Sequence, residues 1–187
     1  NQTGVLTPNE VNQVLGYIDN DGDPYAGDYD APGFNDLKTR GYSATVNWDF
    51  ENFSLTSITD FSTVKRDYIE DSDASPVPLF NFYLTTDAEQ FSQEIRISGG
   101  DEKLNWLAGL YYLDITVDDS NGAETEPFID PAGDTPAVSG LDNPYETNTE
   151  SWSVFGQAEY AFTDKITGIL GLRWIRDEKD HKLEVNA

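Results

Sequence analysis

The feature that most constrains this chain is the way its connections are sorted. Six stretches of alternating, aromatic-rich sequence are joined by short turns and long acidic segments in strict succession. Tyr42 to Phe50 runs into Phe53 to Ser62 across Glu51-Asn52, and a long polar segment follows to about Gln90. Phe91 to Ser98 turns at Gly99 to Lys103 into Leu104 to Val117, and a second long polar segment reaches Glu150. Ser151 to Phe162 then turns at Thr163-Asp164-Lys165 into Ile166 to Arg176. The pattern predicts three antiparallel hairpins (41–64, 90–117 and 150–178), with short turns at one end and long loops at the other. A membrane-spanning β-barrel distributes its connections in this way, whereas a soluble sandwich has no reason to.

Successive side chains of a strand point to opposite faces, so alternation separates an apolar surface from a polar one. Tyr42, Ala44, Val46, Trp48 and Phe50 share one face, and Ser43, Thr45, Asn47 and Asp49 the other. Ile95, Leu110, Val154, Leu170 and Leu172 extend the apolar set along later strands. Glu94, Arg96, Gln157, Glu159 and Arg173 fall on the opposite face, as expected of a water-filled lumen. Aromatics gather near the ends of the apolar face. Trp48, Phe50, Trp106, Tyr160 and Phe162 lie towards the short turns, and Tyr42, Tyr112, Trp152 and Trp174 towards the long loops. Two aromatic girdles around an aliphatic band fit rings held at headgroup level.

Composition narrows the partners. Lys+Arg 11 against Asp+Glu 35 gives a net charge of −24, the wrong sign for binding phosphate backbones, so nucleic acid is excluded as a partner. No apolar run approaches the roughly 18 residues of a membrane helix, and only a barrel could take this chain across a bilayer. Cys is absent and His181 is the single histidine, so no disulfide, thiol nucleophile, catalytic triad or His-rich metal site can be built. An enzyme is not expected. The chain starts without Met in a polar stretch, which reads as an interior piece of a longer protein.

The residues also resemble a known family. Phe91-Ser92-Gln93-Glu94-Ile95-Arg96-Ile97 followed by Leu104-Asn105-Trp106-Leu107-Ala108-Gly109-Leu110-Tyr111-Tyr112 is similar to a strand pair of TonB-dependent outer-membrane receptors. Ser153 to Tyr160, then Gly171-Leu172-Arg173-Trp174 with Asp177-Glu178-Lys179, resembles the next hairpin, and Leu55 to Phe61 the strand before. The resemblance covers roughly Gly41 to Asp180. It implies an all-β fold: an antiparallel meander of about six strands within a transmembrane barrel of about 22 strands in the bacterial outer membrane. Residues 1–40 would form an outer loop segment, and 41–187 part of the barrel wall. It further implies uptake of a scarce nutrient such as a ferric siderophore, haem, cobalamin or an oligosaccharide. TonB would act through a plug lying outside this stretch, and no cofactor is required. The competing class is an extracellular structural or adhesive β-protein whose acidic loops bind calcium.

Two sets of candidate site residues follow. Asp19, Asp21, Asp23, Asp28 and Asp30 present alternating carboxylates in a turn-rich segment, as a calcium loop does. The helix-flanked calcium motif wants Gly sixth and Glu twelfth, and counting from Asp19 those places hold Pro24 and Asp30. A cation-binding loop and a solvated acidic surface both fit. The second long segment is acidic too, with Asp118, Asp119 and Glu124, and Pro127, Pro131, Pro136 and Pro144 predict little regular structure there. In receptors of this kind long outer loops meet ligand, so the resemblance makes Tyr68, Phe80, Phe82, Tyr83 and Tyr145 the candidate contacts.

Overall fold

The computed structural model describes residues 29–72, 76, 80–124 and 140–184. Six strands form one antiparallel sheet in sequence order: β1 (Phe34–Asp49), β2 (Phe53–Asp71), β3 (Asn81–Gly100), β4 (Leu104–Glu124), β5 (Gly140–Thr163) and β6 (Ile166–Leu183). The three short turns close the hairpins at one end, and the connections 72–80 and 125–139 leave from the other. Among the described residues no second layer covers the sheet, and Ala123 is the one buried hydrophobic residue. Leu170 and Leu172 are 69% and 75% exposed. An apolar face left open to this extent needs a non-aqueous neighbour.

The register fixes which residues share a face. One row across the sheet reads Trp48, Leu55, Ile97, Ala108, Gly156, Leu172, and the next reads Val46, Ser57, Ile95, Leu110, Val154, Trp174. A row on the opposite face reads Asn47, Thr56, Arg96, Gly109, Phe155, Arg173, and Glu94, Gln157 and Glu159 share that face. The apolar crossings 42–50, 104–112 and 166–174 are of equal length, nine residues each. About 9–11 residues suffice for a tilted strand to cross a bilayer.

The aromatic girdles do not follow these rows, and the offset measures the tilt. Tyr42 lies opposite Phe61 and Phe61 opposite Phe91, but the same row continues through Asp114, Glu150 and Glu178. On the later strands the girdle has slipped towards the turns, to Tyr112 and Trp152 and then to Trp174, four residues before Glu178. The turn-side girdle slips the same way. The row of Phe53 passes through Gly99 and Trp106 to Ala158, and Phe162 stands four residues further along β5. Four residues are about 14 Å of strand; over the five gaps of the long-loop girdle (about 24 Å) the slope is about 30°, and over the three gaps of the turn-side girdle (about 14 Å) about 45°. These are close to the tilt of about 35–45° found for membrane barrels.

The strands run further than alternation predicts. β1 begins at Phe34 rather than Gly41, so residues 34–40 are strand and not loop. The hairpins extend to 34–71, 81–124 and 140–183 in place of 41–64, 90–117 and 150–178. Beyond the apolar band both faces meet water, so the period-two signal vanishes while the ladder continues. Cross-strand polar pairs replace lipid contact there: Lys65 Nζ with Asp87 Oδ2 at 2.6 Å, Arg66 Nε donating to Asn35 Oδ1 at 3.0 Å, and Thr147 Oγ1 with His181 Nδ1 at 2.8 Å. Pro144, expected to limit regular structure, lies inside β5. Its carbonyl accepts from the Glu184 amide at 3.0 Å, just past the end of β6. A strand residue's N–H and C=O point the same way, so the missing Pro N–H falls opposite Glu184, where the β5–β6 ladder makes its last bond.

The turns are locked by side chains. Asp101 Oδ1 accepts from the amides of Lys103 and Leu104 at 2.8 and 2.9 Å, which pulls its carboxyl below the usual 3.8. Thr163 Oγ1 accepts from Lys165 and Ile166 amides at 3.3 and 3.1 Å. Across the first turn the Phe50 and Phe53 rings stack at 4.5 Å.

Two outcomes follow. Leu170 sits mid-band on β6, so Leu170→Arg in the full-length protein is expected to lose about 2–4 kcal/mol of stability, measured by unfolding from lipid vesicles. Asp101 has a depressed folded pKa, so its capping is complete above the ordinary value and is lost as pH falls through the lower folded one. Asp101→Ala should lower the amide protection factors of Lys103 and Leu104 at neutral pH, and acid should lower the same protection factors, taken against the intrinsic rate at each pH, in the unsubstituted turn.

Candidate functional site

The candidate ligand contacts expected in loops lie mostly on strands. Tyr68 is in β2, Phe82 and Tyr83 in β3 and Tyr145 in β5, while Phe80 immediately precedes β3. Aspartates 19, 21, 23 and 28 of the proposed calcium loop lie outside the described residues. Asp30 is described, and its backbone amide donates to Asp71 Oδ2 at 3.1 Å. No group of three or more His, Asp or Glu among the described residues is arranged to hold a metal.

Strand parity splits the aromatic set. Tyr68, Phe82 and Tyr145 share the polar face with Glu94 and Arg96, whereas Tyr83 shares the face of Phe91 and Ile95. On the polar face the Tyr68 and Phe82 rings meet edge-on at 6.4 Å, and the Arg66 guanidinium lies 5.0 Å from the Tyr68 ring centroid. Tyr68 donates its hydroxyl proton to Glu70. Tyr145 packs 5.8 Å from the His181 ring and sits against Asp119 and Asn121. It occupies the same row as Arg66, three inter-strand spacings and so about 14 Å away. The result is a shelf of two aromatic groups with amides and carboxylates between them, at the long-loop end of the sheet. Arg66, Asn35 and Asn121 escaped notice in the sequence, and Asp119 was noticed only as part of an acidic loop. Only their shared parity with Tyr68 and Tyr145 could have found them, and that parity needed the true strand limits.

Tyr83 has a different task. Its hydroxyl is directed at Leu141 O (3.1 Å) and Asp142 Oδ1 (3.0 Å), and Ser120 also donates to Asp142. Its ring lies over Gly122, where any Cβ would collide with it. Tyr83 thus reaches from β3 across β4 to β5 and staples three strands where the 125–139 connection emerges.

Nearer mid-sheet the expected polar-face residues form a graded set. Arg96 pairs with Glu94 at 3.2 Å. Arg173 donates from Nη2 to Ser153 Oγ at 2.9 Å, and Ser153 is 2% exposed. Gln157 and Glu159 lie closer to the short turns, beside Leu107 and Asn105.

A tilted single sheet with two girdles, an exposed apolar band and a polar opposite face is a barrel wall. Residues 1–185 match the family described as TonB dependent receptor-like, beta-barrel. This chain belongs to the TonB-dependent receptor β-barrel family. It is therefore an outer-membrane protein segment, and the adhesive alternative is set aside. Among solved structures it is similar to the ferric yersiniabactin uptake receptor FyuA from Yersinia pestis. The identity is 12% and the TM-score 0.62, over 82% of this chain. The match spans 24% of that receptor's chain, so this chain corresponds to only part of its length. A comparison with curated proteins gives no match.

The staple yields a prediction for the TonB-dependent receptor wall. Tyr83→Phe keeps the ring over Gly122 but removes the hydroxyl. Amides of Leu141 and Asp142 should exchange about tenfold faster, the effect of about 1.4 kcal/mol. Amides of the apolar band should be unchanged by the same measurement.

Proposed function

We propose that this segment is part of the wall of an outer-membrane receptor that binds and imports a scarce nutrient, with its apolar face on lipid and its polar face on the lumen. The observation that carries the reading is one exposed apolar face with aromatic rings towards both of its ends, in a chain of this family. A soluble sheet has no physical reason to border an open apolar face with rings at both ends. The family's work is transport rather than catalysis. TonB would act through a plug domain in another part of the receptor.

Ligand contact is assigned to the polar-face shelf, with Tyr68, Phe82 and Tyr145 as ring surfaces and Phe80 at its rim. Tyr83 is left out, because its ring covers Gly122 and its hydroxyl is committed to β5. Of the ligand classes this family takes up, ferric siderophores come first to test, by likeness to the ferric yersiniabactin receptor. Haem, cobalamin and oligosaccharides follow.

The test is a binding titration on the full-length receptor in outer-membrane vesicles. Substituting Tyr68, Phe82 or Tyr145 by Ala should each weaken ligand binding about tenfold, about 1.4 kcal/mol per lost ring. Tyr83→Phe should leave affinity within about twofold. If the three alanine variants bind as the parent does while Tyr83→Phe weakens binding, the shelf assignment is wrong.

A further inference from the structure

Near the middle of the strands the polar face carries a cation whose surroundings are built and which, like Arg66 at the long-loop end, makes no ion pair among the described residues. Arg173 projects from β6 towards the centre of the sheet, and its guanidinium carbon lies 5.8 Å from the Tyr111 ring centroid and 5.6 Å from that of Phe155. Nη2 donates to the buried Ser153 hydroxyl at 2.9 Å. The platform beneath depends on a glycine. Phe155 lies flat because Gly109, directly opposite it on β4, has no Cβ to meet the ring. Arg96 occupies the same row further along the sheet but is already paired with Glu94. Among the described residues Arg173 makes no ion pair.

A guanidinium does not discharge at any ordinary pH, so an unmatched one must find an anion or stay hydrated. It presents five N–H donors, of which the Ser153 contact uses one, and its fork fits a planar carboxylate with two parallel hydrogen bonds. The rings and Ser153 already restrict the side chain, so little further freedom is lost on pairing. Glu94 and Glu159 on the same face penalise a doubly charged phosphate more than a singly charged carboxylate.

From this we infer that Arg173, held by Tyr111, Phe155 and Ser153, is a carboxylate-receiving site in the barrel lumen. The inference rests on the polar face being the lumenal one. The carboxylate belongs either to a diffusible ligand or to an Asp or Glu of a segment seated inside the barrel, and the chemistry at Arg173 is the same for both.

The experiment uses the full-length receptor in detergent, with Arg173→Gln and Arg173→Lys, the latter keeping charge but losing the fork. Thermal midpoints are read at 50 mM and 1 M NaCl, roughly 14 Å and 3 Å of screening length, and again with sodium acetate replacing chloride at equal ionic strength. For a carboxylate built into the lumen, Arg173→Gln lowers the midpoint at low salt and Arg173→Lys lowers it less. The difference then shrinks at 1 M, and acetate adds nothing to the parent. For a diffusible carboxylate, the variants match the parent in chloride, and acetate stabilises the parent but not Arg173→Gln. Equal, salt-independent losses in both variants, or acetate acting alike on all three proteins, overturn the inference and leave Arg173 as packing alone. Failure of the lumenal reading is separate: a water-soluble thiol-reactive reagent would then label Arg173→Cys only when the barrel is stripped of lipid.

Discussion

Hydrocarbon offers no partner to a backbone N–H or C=O, and every other property of this wall follows from that constraint. Each strand must satisfy its main chain on its neighbours, which is why the ladder keeps its register through the apolar band and is irregular only between Ala161 and Thr163, beside the last short turn. The same constraint removes the need for a core. Apolar side chains are turned to the outside, and stability comes from continuous pairing, not from two packed layers. β1 and β6 are the edges of the described sheet, and in a bilayer each requires a further strand.

A second device recurs wherever a large ring would crowd the sheet. Gly99 stands opposite Trp106, Gly109 opposite Phe155 and Gly122 opposite Tyr83, each ring lying across the neighbouring backbone where a Cβ would be. Phe162 covers Gly168 in the same manner near the last turn. Pairing a ring with a glycine orients the ring parallel to the sheet and shields the exposed main chain. It also decides what the ring can reach. Over Gly122 it lets Tyr83 grip β5, and over Gly109 it gives Arg173 a flat support.

The sequence was most legible where one face meets lipid, because only there does the environment impose a period of two. Trp48, Leu110 and Leu172 announced their face at once. Lys65, Asp87, Glu146 and His181 did not, since water on both sides accepts polar residues at every position. The strands therefore looked shorter than they are, and aromatic residues of the shelf looked like loop residues. Pro144 misled for a related reason: its fault is harmless only because the β5–β6 ladder makes its last bond beside it, and no local pattern reveals where a neighbour stops. Among the polar-face residues, Glu94, Arg96, Gln157, Glu159 and Arg173 could be placed by parity, but their separate surroundings could not.

The sequence by itself determined the class of fold, the end at which the turns lie, the two faces and the width of the apolar band. These depend on alternation and on turn chemistry, which are local. Register was beyond its reach, because sliding a strand by two residues leaves every side chain on its proper face and changes every partner. The hydrogen-bond ladder of the folded sheet chose among those equivalent alignments. That choice set the slope of the girdles, brought Tyr83 over Gly122, and placed Arg173 beside Tyr111, Phe155 and Ser153, whose positions in the chain carry no sign of the meeting.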